Sequence, residues 1–305
     1  MSILPTIDPV CDETSTSTID LVLEGRPRDV GGFEVRRALP ARERRMVGPF
    51  IFFDEMGRAE LGPGQGIDVR PHPHIGLATL TYLFEGEIMH RDSLGSAQAI
   101  RPGDVNWMLA GRGIAHSERS TPEARRRGGP LHGIQCWVAL PEQGEEAAPR
   151  FDHHPAAALP SVIRGGARLR ILAGSAYGAT SPVGVLSPTF YADASLDAGG
   201  TLPLPDEHAE RAAYLVAGAV SCDGRRFAPG TLIVFRPGAG AALCAEGQAR
   251  LVLLGGAPLG GQRHIWWNFV SSSRDRIERA KAEWREERFP AVIGDEGERI
   301  PLPER

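Results

Sequence analysis

Two stretches of this chain repeat one another, and the repeat limits its fold more than any other feature. Tyr82-Leu83-Phe84-Glu85-Gly86-Glu87-Ile88 is matched by Tyr214-Leu215-Val216-Ala217-Gly218-Ala219-Val220. Pro102-Gly103-Asp104-Val105 begins sixteen residues after Gly86, and Pro229-Gly230-Thr231-Leu232 begins eleven residues after Gly218. Each copy reads as strand, glycine turn, strand, Pro-Gly turn, strand. A duplicated β-unit predicts an all-β chain built as two small barrels in tandem. The 37 glycines and 25 prolines among 305 residues supply the turns that such a fold needs.

The pattern along the chain sets the expected boundaries. Residues 1–20 are rich in Thr, Ser and Asp and read as a lead-in. Residues 21–140 form the first barrel. PEQGEEAAPRFDHHPAAALP, residues 141–160, is polar and proline-rich without periodicity and reads as a connection. Residues 161–305 form the second barrel and end in a helix. Within SSSRDRIERAKAEWREERF, Ile277, Ala280 and Trp284 are spaced by three and four, serines precede them and Pro290 follows. Trp266 and Trp267 are expected to pack against that helix.

Composition excludes several classes. A hydrophobic share of 42% and a charged share of 24% suit a globular chain with a buried core. The net charge of −4 argues against direct nucleic-acid binding. No apolar run approaches the roughly 18 residues that a membrane helix needs, and the N-terminus lacks the basic and apolar regions of a signal peptide. Cys11, Cys136, Cys222 and Cys244 are scattered, which fits reduced thiols. A cytoplasmic monomer is expected.

The chemistry centres on PHPHIG. His72 and His74 stand two apart on a predicted strand and so share a face, with Cβ atoms roughly 6–7 Å apart. One metal ion can take both imidazoles, with bonds of roughly 2.0–2.2 Å to nitrogen. The duplication supplies a control. The offset between the copies is 132 (214 − 82), and at that offset His72 and His74 fall on Leu204 and Asp206. A histidine pair absent from the second copy serves local chemistry rather than architecture. In AGRGIAHSERS, His116 and Glu118 form a second such pair after a glycine-rich turn. If the two strands are antiparallel neighbours, three histidines and one carboxylate meet inside the first barrel. Such a site leaves positions open for water, oxygen or substrate.

At these residues a family resemblance emerges. Gly66 followed by His72 and His74 is similar to the first half of the cupin motif, and Pro102-Gly103-Asp104 with Ala110-Gly111 and His116 is similar to the second half. The strings HPHIGLATLTYLFEGEIMHRDSLG and RPGDVNWMLAGRGIAHSE resemble the pirin family closely. RRALPARERRMVGPFIFFDEMG and, more loosely, the second half through IWWNFVSSSRDRI extend the likeness. A general cupin places its glutamate three or four residues after the second histidine, where this chain has Ala78 and Thr79; the spacing from Gly111 to His116 is two longer, and Leu109 replaces a proline. In pirins the carboxylate lies two residues after the third histidine, the place of Glu118. The resemblance implies two tandem cupin barrels of the jelly-roll type, with His72, His74, His116 and Glu118 as ligands.

The resemblance also implies two functions of different class. One is an oxygenase of the quercetin 2,3-dioxygenase type, acting on flavonol or enediol substrates with Fe(II) and dioxygen. The other is an iron-dependent redox-sensing regulator that binds a transcription factor or a metabolic enzyme. Mn, Ni, Cu or Zn would suit the same ligands. Glu118 is expected to act as ligand and as catalytic base. Phe52, Trp107 and Met108 are expected to wall the pocket, and Arg112 to face an anionic or phenolic group.

Other signals read as structural. His90 and Asp92 in MHRDSLG are expected at an exposed hairpin tip, with orientation of a ligand imidazole as the alternative. His132 reads as a buried or paired histidine, His153 and His154 as exposed, Cys136 as a small core residue and ARRRGG as a solvated loop. GPGQG lacks the lysine and hydroxyl of a phosphate loop.

Overall fold

A computed structural model describes residues 17–30 and 34–304. Most of the expected lead-in, residues 1–16, lies outside the described residues, as do Cys11 and Phe33. The chain forms two tandem cupin sandwiches of matching topology. In the first, a seven-stranded sheet runs in the order Arg150–His154, Val105–Leu109, Leu77–Glu85, Gly129–Ala139, Phe50–Leu61, Glu34–Leu39, Arg26–Asp29. It packs on a four-stranded sheet ordered Asp68–His74, Ile114–Arg119, Ile88–Asp92, Ala97–Ile100. The second repeats both sheets with Glu210–Ala217 in the place of Leu77–Glu85 and Thr201–Pro203 in the place of Asp68–His74.

Alternation sorts the side chains. Ile88, His90 and Asp92 are buried while Met89 and Arg91 are only half-buried, the period-two pattern of a strand with one inward face. Strands at the centre of the large sheets, such as Leu77–Glu85, are buried nearly throughout because the other barrel covers their second face. One hydrophobic core runs between the barrels and holds Phe50, Phe53, Tyr82 and Trp107 with Tyr191 and Tyr214.

Each large sheet takes its edge strand from outside the expected barrel. Arg150–His154, within the segment read as a connection, pairs with Val105–Leu109 and completes the first sheet. Ile19–Glu24 pairs with Thr231–Phe235 and completes the second. Five residues between Pro149 and Pro155, none of them buried, are too few to reveal a period. Cys136 is buried in the core, as expected, and Cys136, Cys222 and Cys244 are free thiols.

The C-terminal segment returns to the first barrel. Its helix spans Arg274–Arg285, is capped by the Ser273 hydroxyl accepting from Arg276 N, and buries Ile277, Ala280 and Trp284. Those side chains pack on Ile75 and Ala115 of the first barrel. The contact depends on Gly76. Its φ is +65°, and a Cβ there would sit 2.0 Å from the Val270 carbonyl oxygen, so only glycine lets the returning chain approach. ARRRGG is not a loop throughout: Pro122–Arg127 form a short helix capped by Thr121, and Arg125 pairs with Asp68. No helix among the described residues is long and apolar enough to cross a membrane.

Candidate metal centre

Prolines flank both histidines of Pro71-His72-Pro73-His74, which suits an edge strand, because proline cannot donate to a ladder. This strand runs antiparallel to Ile114–Arg119 with His72 opposite His116. A bulge separates the His116 and Glu118 pairings and puts one extra residue on the histidine strand. His72, His74 and His116 are all buried, and each offers a ring nitrogen within 4.8 Å of the others. No other cluster of three potential ligands occurs among the described residues.

The hydrogen bonds identify which nitrogens are free. His72 Nδ1 lies 2.9 Å from the Arg70 carbonyl oxygen and His74 Nδ1 lies 3.1 Å from that of Asn268. A carbonyl only accepts, so both Nδ1 atoms carry protons and both Nε2 atoms are bare in the neutral rings. His74 Nε2 then stands 3.1 Å from His116 Nε2. Two ligands at right angles to each other on a cation, with bonds of about 2.1 Å, stand about 3.0 Å apart. The donor set therefore fits a divalent metal.

Burial is the main reason why all three imidazoles resist protonation. It holds His74 and His116 well below the ordinary imidazole range, and mutual repulsion among the rings adds to it. His72 is also lowered by burial, partly offset by the Arg70 carbonyl and by Glu118. Neutral rings are the metal-binding form.

Glu118 lies outside the tight three-nitrogen set but lines the same cavity as His72 and His74. Its Oε1 accepts from Gln135 Nε2 at 2.7 Å and from Thr81 Oγ1 at 3.4 Å. Gln135 faces the cavity from the Gly129–Ala139 strand, where a polar residue within the apolar run 134–139 was the sequence signal.

The cavity holds about 500 Å³. Phe52 lies on Trp137 with ring centroids 4.1 Å apart and planes 13° from parallel, and Trp137 meets His74 edge-on at 5.2 Å. Arg37 forks onto Asp54 with bonds of 2.8 and 2.7 Å and places its guanidinium carbon 4.3 Å over the Phe52 ring. Ile265, Trp267 and Asn268 of the C-terminal segment close one side. A larger groove of about 900 Å³ under the C-terminal tail contains none of the three imidazoles.

Several expected residues stand elsewhere. Phe52 lines the cavity, whereas Trp107 and Met108 do not and are buried in packed core. Arg112 is exposed and its carbonyl accepts from Arg276. Trp267 does contact the helix, 6.5 Å from Trp284 between centroids, but it also lines the cavity. His90 and Asp92 are no hairpin tip: both are buried, at 4% and 0% exposure. The strand Ile88–Asp92 runs through both residues, the turn comes after it, and Leu94 rather than His90 reaches solvent. His132 is paired, 3.1 Å from Glu55, as expected. His153 is half-buried and hydrogen-bonded to Asn106 rather than exposed.

Comparison with known proteins places these features in a family. The profile described as Pirin matches residues 32–138, and that described as Pirin C-terminal cupin domain matches residues 191–290. This chain belongs to the pirin family. It is 53% identical over 289 residues to a pirin-like protein of Caulobacter vibrioides, covering 94% of this chain and 100% of that one. It is 34% identical over 195 residues to human pirin, 63% of this chain and 64% of that protein. A crystal structure of a quercetin 2,3-dioxygenase from Acinetobacter baumannii superposes with a TM-score of 0.86 at 34% identity, covering 93% of this chain and 96% of that one. Against this pirin-family background the three-histidine cluster belongs to the N-terminal cupin, and the C-terminal cupin has an apolar interior built from residues such as Phe190, Phe235 and Leu243.

Proposed function

We propose that this pirin-family protein is a dioxygenase of the quercetin 2,3-dioxygenase type that uses Fe(II) on flavonol or related enediol substrates. One observation carries the reading. The bare nitrogen of His74, the Glu118 carboxylate and the flat Phe52–Trp137 wall all open on one cavity of about 500 Å³. That volume suits a planar bicyclic or tricyclic phenol.

His72, His74, His116 and Glu118 would hold the metal, whose chemistry is to bring dioxygen beside a chelating enolate. Gln135 and Thr81 fasten one oxygen of Glu118, which leaves the other to ligate or to take the substrate hydroxyl proton. Phe52 and Trp137 orient the ring, and the C-terminal segment keeps water out. The test is oxygen uptake with Fe(II)-loaded protein and quercetin. Uptake no faster than that of a His116→Ala variant rejects the reading.

A second reading, an iron-dependent regulator that binds a protein partner, draws on the bond from His74 Nδ1 to the Asn268 carbonyl. It ties a ligand to the segment that carries the surface helix, a route by which the metal's oxidation state would reach an interface. Partner binding that is unchanged by chelation rejects it.

A further inference from the structure

We propose that Asp92 and His90 are positioning residues that set the tautomer of His116, so that Nε2 is the nitrogen it presents to a metal. This rests on the metal-site reading above.

The chain of contacts starts at a fixed point. Asp92 Oδ1 accepts from the backbone N–H groups of Leu94 and Ser96 at 2.9 and 3.0 Å. Its other oxygen, Oδ2, faces His90 Nε2 at 3.0 Å. The carboxylate only accepts, so in the neutral ring His90 carries its one proton on Nε2 and its Nδ1 is bare. That Nδ1 faces His116 Nδ1 at 3.3 Å. His116 therefore donates from Nδ1, and its bare Nε2 points at the bare Nε2 of His74, 3.1 Å away. His90 is also held in plane, because its ring lies on Phe151 with centroids 4.3 Å apart and planes 12° from parallel.

The three ligand histidines are thus oriented in two ways. His72 and His74 use backbone carbonyls, which any sequence supplies. His116 uses side chains, which this sequence had to provide. The second barrel supports the link: at the same offset of 132, Cys222 and Gly224 stand for His90 and Asp92, so the relay is missing where the ligands are missing.

The decisive variant is Asp92→Asn. Its amide oxygen takes the Oδ1 place, because only an acceptor satisfies the two backbone N–H groups. Its NH₂ then faces His90 Nε2 and pushes the proton pattern the other way: Nε2 bare, Nδ1 protonated, His116 Nδ1 bare, His116 Nε2 protonated. The same inversion of tautomer by an isosteric amide is known from serine proteases. Ni(II) alone is the probe, titrated into metal-free protein against a chelating indicator, with thermal melts of each metal-free variant. Asp92→Asn is expected to weaken Ni(II) binding about 10–100-fold with the melting temperature of the metal-free protein kept. His90→Asn, whose Oδ1 can replace the lost acceptor, is expected to bind more tightly than His90→Leu. Near-wild-type affinity in Asp92→Asn, or equal affinity in the two His90 variants, overturns the proposal while His116→Ala still abolishes binding. If His116→Ala binds Ni(II) like the wild type, the metal site itself is wrong and the relay falls with it.

Discussion

Glu55 and Asp193 occupy the same position in the two barrels, and each accepts a hydrogen bond from the tyrosine of the other. The register fixes the equivalence: Tyr82 pairs with Ile134 and Ile134 with Glu55, as Tyr214 pairs with Val252 and Val252 with Asp193. Tyr82 donates across to Asp193 at 2.7 Å, and Tyr214 donates across to Glu55 at 2.8 Å. The repeat that first suggested two barrels thus also supplies the polar contacts that join them.

The two halves of this exchange are unequal. Asp193 keeps a forked pair from Arg250, at 2.9 and 2.6 Å, when Tyr82 is lost. Among the described residues Glu55 keeps only His132 at 3.1 Å and a longer contact from Arg36 at 3.5 Å. Removing a donor from a buried carboxylate costs about 1–3 kcal/mol. Tyr214→Phe is expected near the top of that range and Tyr82→Phe near the bottom, measured by urea denaturation. The reverse order would contradict the assignment.

Much of this was legible in the sequence because the signals were local. The repeat, the strand alternation of His72 and His74 and the spacing of Ile277, Ala280 and Trp284 all survive in the structure. What escaped depends on distant chain. His90 and Asp92 looked like turn residues because Phe151, which covers His90, lies some sixty positions later, in a segment without period. Asn268 contributes to the site through its backbone carbonyl, which no side-chain pattern encodes. Trp107 was misplaced because a strand buried on both faces gives no alternation from which to read facing.

The duplication predicts the metal count. The matched positions Leu204 and Asp206 are a buried core residue and an exposed carboxylate. Elemental analysis of protein purified without a histidine tag is expected to give about one ion per chain, and about none in His72→Ala/His74→Ala. A ratio near two would require a site in the second barrel.

Glu118 depends on its neighbours. Gln135→Met keeps the volume but removes the 2.7 Å donor and leaves Thr81 at 3.4 Å. Ni(II) affinity is expected to fall about tenfold, the lower end of effects for outer ligand partners. Thr81→Val, which loses only the longer bond, is expected to change it less. Equal losses would mean that Gln135 does not orient the carboxylate.

Acidification tests the buried imidazoles. Burial is the largest cause that lowers His72, His74 and His116 in the folded state. The unfolded chain binds a proton at each near pH 6.5, where the folded protein does not. The unfolded state then holds more protons, so unfolding free energy rises with pH in that window. Stability of the metal-free protein is therefore complete above about pH 6.5 and declines as pH falls below it, by up to about 1.4 kcal/mol per pH unit for each such imidazole. Urea midpoints measured from pH 8 to pH 5 are expected to drop, and a His74→Ala/His116→Ala variant is expected to drop less steeply. Saturating Ni(II) is expected to raise the wild-type midpoints without changing that slope, because the folded rings carry no protons in this window for the metal to displace. A wild-type midpoint that stays level across this range would mean that the three rings are not held neutral by burial.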